Sequence, residues 1–154
     1  MTASFQFSES NTSSQTVTDG ISNVNFGSVD APNITPASYP ITAGTNSYEK
    51  WIRGHFYGSY SSVSNLKFYM SAGTYVTGET IMAAANTAFA TPVNTTSVVA
   101  TSPVPTSLGS ALTPTAPGAS PSYSGYIIMQ LQTTGSTPPG NVNTKTFTLQ
   151  YDET

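Results

Sequence analysis

Large apolar residues recur at every second position along this chain, and almost nowhere at the three-and-four spacing of a helix, so the backbone is constrained to strands. Phe5 and Phe7 alternate with Ser4, Gln6 and Ser8, and Val24 and Phe26 alternate with Asn23 and Asn25. The pattern is strongest over 48–60, where Ile52, Gly54, Phe56, Gly58 and Tyr60 share one face and Trp51, Arg53, His55 and Tyr57 the other. A Ser-rich turn at 59–64 leads to inward Leu66, Phe68 and Met70 with outward Lys67 and Tyr69, and these two runs read as an antiparallel hairpin. Val98 and Val99 mark a weaker strand. The run 123–132 forms a strong one, with Ile127, Met129 and Leu131 opposite Tyr126, Ile128 and Gln130, and 145–151 forms the last, with Phe147, Leu149 and Tyr151 on one face. So many short strands in 154 residues imply an all-β, single-domain antiparallel β-sandwich over 1–154, the jelly roll being one form it can take.

Two proline-rich stretches interrupt the pattern. Residues 31–46 contain Pro32, Pro36 and Pro40, and residues 101–121 contain Pro103, Pro105, Pro114, Pro117 and Pro121. Proline lacks the N–H and fixes φ, so neither stretch can be a central strand. Their apolar residues, Ile34, Tyr39 and Ile41 in the first and Val104, Leu108 and Leu112 in the second, are poor choices for free linkers. Two readings stay open: the loops dock on a neighbouring molecule, or they pack over the open edges of their own sandwich. The run 81–90, IMAAANTAFA, reads as irregular or as a short helix, because Thr and Asn interrupt it and no capping box precedes it.

Composition narrows the chemistry. The chain holds 22 Ser and 25 Thr but only 4 Lys+Arg, 7 Asp+Glu, 1 His and no Cys. Its 7% of charged residues compares with an average of about 25%, so hydroxyl groups must solvate the surface. The four cations, Lys50, Arg53, Lys67 and Lys145, are scattered and form no stripe able to neutralise a phosphate backbone, so direct nucleic-acid binding is not expected. A tetrahedral zinc site lacks its ligands, and no acidic motif has calcium-loop spacing, so neither metal nor cofactor is expected. Nucleophilic catalysis would depend on His55, the sole histidine, which stands among aromatics as packing or interface residues do; the reading is non-enzymatic. Asn11, Asn33 and Asn94 begin N-x-[ST] triplets, which a chain this rich in Ser and Thr produces by chance. The N-terminal residues lack a basic region followed by an apolar run, and no stretch is long and apolar enough to span a membrane, so neither export nor a membrane association is expected.

A face carrying Trp51, Arg53, His55 and Tyr57 together is not an ordinary solvent face. Exposed aromatics on a sheet stack on sugar rings or anchor a protein interface, since both uses need rigid apolar area with a polar handle; others are core or loop-covered, and the Trp51 face is expected to lie under another subunit or a loop. The candidate interface residues are Trp51, Arg53, His55, Tyr57, Tyr69, Pro103, Pro105, Leu108 and Leu112, with Tyr123 and Tyr126 as further candidate aromatics.

SNVNFGSVDAPN (22–33), SYEKWIR (47–53), AFATP (88–92), SGYIIMQLQ (124–132) and GNVNTKTFTLQYDE (140–153) together resemble small virion structural proteins of tailed bacteriophages. The resemblance covers most of the chain from residue 22 onward, and none of its segments marks a chemical site. It implies a virion component made in the host cytoplasm. A capsid decoration or cement protein on the capsid surface would bind the major capsid protein between capsomers and form a homo-oligomer on the particle. The competing role is a tail, neck or baseplate accessory, or a carbohydrate-binding adhesin. The chain shows no heptads, collagen repeat or internal repeat of the kind a fibrous shaft would carry, which favours decoration.

Overall fold

The computed structural model describes residues 2–140 and 143–154. Among them are nine strands: β1 (Ala3–Asn11), β2 (Thr16–Asp19), β3 (Lys50–Gly58), β4 (Val63–Ala72), β5 (Glu79–Asn86), β6 (Ser102–Pro103), β7 (Ser122–Tyr123), β8 (Tyr126–Thr133) and β9 (Thr146–Glu153). Every pairing is antiparallel. One sheet runs β2-β1-β3-β8-β5-β6, with β7 also paired to β3, and the second contains only β4 and β9. The protein is thus all-β and sandwich-like, as the alternation implies. Strands divide seven to two between the sheets, and this order does not by itself make a jelly roll.

The alternation places the core. Ile52 and Phe56 of β3, Ile81 and Ala83 of β5, and Ile127, Met129 and Leu131 of β8 point from the large sheet onto Leu66, Phe68 and Met70 of β4 and Leu149 of β9. Gly54 lies in this inner face because there is no room for more: a Cβ would stand 2.6 Å from the Phe56 ring, 3.0 Å from Phe5 and 3.2 Å from Leu149. Gly54→Ala is expected to cost about 1–3 kcal/mol through overpacking, seen as a lower urea midpoint with an unchanged slope.

Several expectations need correction. The runs 48–60 and 66–70 do not form a hairpin, because β3 pairs with β1, β7 and β8 while β4 crosses to the other sheet and pairs with β9. Val24 and Phe26 lie outside any strand; they pack on the core from a loop, where burying apolar area does not need a ladder. Val98 and Val99 are also in a loop, with Val98 87% exposed. The run 81–90 contributes most of β5, paired along its length with β8, so eight cross-strand partners override the weak strand propensity of alanine. The strand read over 123–132 is broken at Ser124 and Gly125: β7 and β8 meet β3 in registers one residue apart, the signature of a β-bulge.

Both proline-rich stretches are largely irregular, apart from the two-residue β6 and a 3-10 turn at Leu108–Ser110. The second packs over its own sandwich edges. It leaves the large sheet at β6, where Val104 N–H donates to Ile81 O (2.8 Å), and reaches β4, where Met70 N–H donates to Pro105 O (2.8 Å) and Phe68 and Leu112 exchange two bonds of 2.9 Å.

Candidate functional site

The outer face of the large sheet, the one turned away from the β4–β9 pair, divides into a covered half and an open half. Cross-strand register builds it from Ser4, Gln6, Ser8 and Ser10 of β1 directly opposite Tyr57, His55, Arg53 and Trp51 of β3. Tyr123 of β7 stands opposite His55.

Trp51 belongs to the covered half. It is fully buried with Tyr126, Ile128 and Ala100, and Met82, Phe89 and Val99 pack around them as a second core. Its ring meets Phe89 edge-on at 5.3 Å and Tyr126 at 5.6 Å, and its Nε1–H donates to Glu49 Oε2 (2.8 Å). The segment 87–100 forms the cover and is fastened by the buried Gln130 side chain. Its amide nitrogen donates to Val93 O and Thr95 O, and its oxygen accepts from Ser97 N–H.

Arg53, His55 and Tyr57 remain on the open half, joined by Tyr123. The bulge at Ser124–Gly125 makes this possible. Residues three apart in a regular strand point to opposite faces, but the extra residue brings both Tyr123 and Tyr126 outward. Arg53 Cζ then lies 3.9 Å from the Tyr123 ring centre and 4.9 Å from that of Tyr126. His55 stacks on Tyr123 at 4.3 Å, and Tyr57 follows at 5.4 Å from His55. The result is a row of flat groups whose outer member, Tyr57, is 38% exposed.

Asp19, at the end of β2, organises the polar side of the row. It accepts from Ser8 Oγ (2.5 Å) and from the Tyr123 hydroxyl (3.1 and 3.0 Å), and Oδ2 lies 3.4 Å from His55 Nδ1. Gln6 Nε2 is 3.1 Å from the same imidazole nitrogen. Partial burial, followed by the bond to Asp19, raises the pKa of Tyr123, so its phenol stays a donor. Ser8 gives its proton to Asp19 and not to His55, so these side chains do not stand in the nucleophile–base–carboxylate order of acyl transfer.

The other candidate residues lie elsewhere. Tyr69 is half-buried on β4 in the other sheet, opposite Thr148. Pro103, Pro105, Leu108 and Leu112 belong to the strap from β6 to β4, with Leu108 at its exposed tip. The nine residues therefore occupy three separate places rather than one surface. Sequence reading missed Asp19, Gln6 and Ser8 as partners of the aromatic row, since no local spacing links β2 to β7.

Among the described residues no three His, Asp or Glu side chains gather closely enough to hold a metal ion, and no helix is long and apolar enough to cross a membrane. A cleft of about 650 Å³ opens where the small sheet leaves the large one uncovered; Phe26, Tyr39, Ile81 and Phe147 line it, beside the Lys145–Glu79 ion pair (2.7 Å). Comparison with protein-family models, with curated proteins and with solved structures gives no match.

Proposed function

We propose that this chain is a non-enzymatic structural protein of a tailed-phage virion, a capsid decoration protein that seats on the major capsid protein through the open half of its outer face. The observation that carries the reading is the row Arg53, Tyr123, His55, Tyr57. It presents rigid aromatic area of the type enriched at interface centres, with the Arg53 guanidinium lying on the Tyr123 ring. The segments resembling small virion proteins supply the context, and the low charge of the chain leaves attachment to apolar contact and hydroxyl hydrogen bonds. Binding should accordingly survive high salt.

Quantitative mass spectrometry of purified particles tests the role: copy number on the scale of the capsid subunits is expected, and tail-like copy number would overturn it. Tyr57→Ser should remain folded and weaken attachment about 30-fold, the equivalent of 2 kcal/mol at an interface anchor. An adhesin is the second reading, favoured by the neighbourhood of an exposed tyrosine, a carboxylate and an amide at Tyr57, Asp19 and Gln6. Saturable binding of a glycan that Tyr57→Ser abolishes, with no attachment to capsids, would establish that reading instead.

A further inference from the structure

We propose that Lys50 and Asn11 become joined by an isopeptide bond, formed within the folded chain by Glu9 acting as acid and base. The three side chains meet at the inner end of the β1–β3 pair. Ser10 pairs with Trp51, so the next step of the register sets Asn11 across from Lys50 on the same face. All three side chains are buried.

One carboxylate oxygen touches both reacting groups. Glu9 Oε1 accepts from Lys50 Nζ (2.9 Å) and from Asn11 Nδ2 (2.8 Å), so the two nitrogens can be no further apart than those two bonds laid end to end. Each is held by a second partner: Nζ donates to Ala31 O (2.7 Å), and Nδ2 to Asp30 Oδ1 (2.7 Å). With both amide hydrogens on carboxylates, the orientation of the Asn11 side chain is settled. Within this group two buried atoms are left without any partner, Glu9 Oε2 and Asn11 Oδ1. A proton on Glu9 Oε2 would supply the donor that Asn11 Oδ1 lacks. Burial pushes the Glu9 pKa upward, against the opposing pull of Lys50, and so favours that protonated form.

The chemistry balances without an outside reagent. One proton passes from Lys50 Nζ to Glu9, which turns two buried charges into none and makes both a neutral amine and a carboxylic acid. The Nζ lone pair attacks Asn11 Cγ while the acid hydrogen-bonds the carbonyl oxygen. Glu9 then relays a proton from Nζ to Nδ2, the two atoms it already bridges. The Cγ–Nδ2 bond breaks, ammonia leaves, and an amide between Cγ and Nζ remains. Exclusion of water removes the competing nucleophile, and juxtaposition supplies what a free amine and a free carboxamide lack. Glu9 returns to the carboxylate by giving its acid proton to the departing ammonia, and Asp30, which already accepts from Nδ2, is placed to pair with the ammonium so formed. The product ties β1 to β3 covalently in a chain that has no cysteine, and it constrains the unfolded state as a disulfide would.

Intact mass and peptide mapping of the full-length protein test this. The expected mass is lower than the sequence mass by one ammonia, and trypsin should fail to cut after Lys50, so that the first fragment runs over 1–53 in place of 1–50 and carries the whole deficit. Lys50→Arg should restore the missing ammonia. That variant separates the proposal from succinimide formation at Asn11, which loses ammonia too but does not need the lysine. Glu9→Gln, with its fold checked by circular dichroism, should also carry the full mass. Full mass in the native sequence after prolonged incubation, or an ammonia deficit that persists in Lys50→Arg, would overturn the bond; a deficit that persists in Glu9→Gln would overturn the role of Glu9.

Discussion

Replacing Trp51 with alanine is expected to lower the unfolding free energy by about 3–5 kcal/mol, a large part of the 5–15 kcal/mol typical of a domain. The ring fills the centre of the second core and holds Phe89, Val99 and Ala100 of the covering segment against the sheet. Its removal opens a cavity between sheet and cover, and it also takes the Nε1 donor from the buried Glu49, leaving that Oε2 only Val93 N–H at 3.4 Å. Trp51→Phe weights the second effect, since it keeps most of the aromatic volume and loses the donor to a charged acceptor, a cost of about 1.5–3 kcal/mol for that bond. Urea unfolding followed by far-UV circular dichroism checks both. A Trp51→Ala protein that melts like the native one would show that the ring does not hold the cover, and would leave another molecule as what lies over Trp51.

The burial of Trp51 under a loop shows what the pattern of a strand can carry. Alternation fixes which residues share a face, and Trp51, Arg53, His55 and Tyr57 do share one; it says nothing about what lies over each part of the face. The cover comes from 87–100, where Phe89, Val99 and Ala100 pack on the ring and Val98 and Val99, read as a weak strand, belong to a loop. The inner face was legible in β3, β4, β8 and β9 because Ile, Phe, Met and Leu recur there in phase. It was illegible in β5, where small alanines against β8 satisfy the pairing without marking a period. Tyr123 is a candidate aromatic whose face the strand pattern alone does not give. Period two puts it on the opposite face from Tyr126, and only the bulge at Ser124–Gly125 returns it beside His55, with Gly125 needed because a Cβ there would stand 3.0 Å from Thr115 N and 3.2 Å from Asn86 O. The Glu9–Lys50–Asn11 group did leave a trace: Glu9 keeps phase with Phe5 and Phe7, and Lys50 with Ile52 and Phe56. Charges on an inward phase imply a buried partner, and the pairing of β1 with β3 supplies it.

Deleting 103–117 is expected to unfold the protein rather than leave a sandwich without one loop. The strap closes an edge of each sheet, and four of its backbone hydrogen bonds go to β5 and β4. At about 1 kcal/mol net for each bond, and about 2 kcal/mol for the buried Val104, the loss matches the margin of a typical domain. The prolines suit this work: Pro103 stands on the outermost strand, where a missing N–H breaks no ladder, and Pro105 contributes through its carbonyl alone. Val104→Ala should cost about 1–2 kcal/mol, from the loss of two buried carbons. Leu108→Ser is the contrasting variant, because Leu108 sits at the tip of the 3-10 turn, 44% exposed, and a surface change there should stay within about 0.5 kcal/mol of the native stability. Urea midpoints order the three. If the deletion kept a cooperative transition at the native midpoint, the strap would be an appendage and free for docking. If it unfolds the chain while Leu108→Ser leaves both stability and, on the proposed role, particle occupancy unchanged, the exposed tip of the strap takes no part in docking.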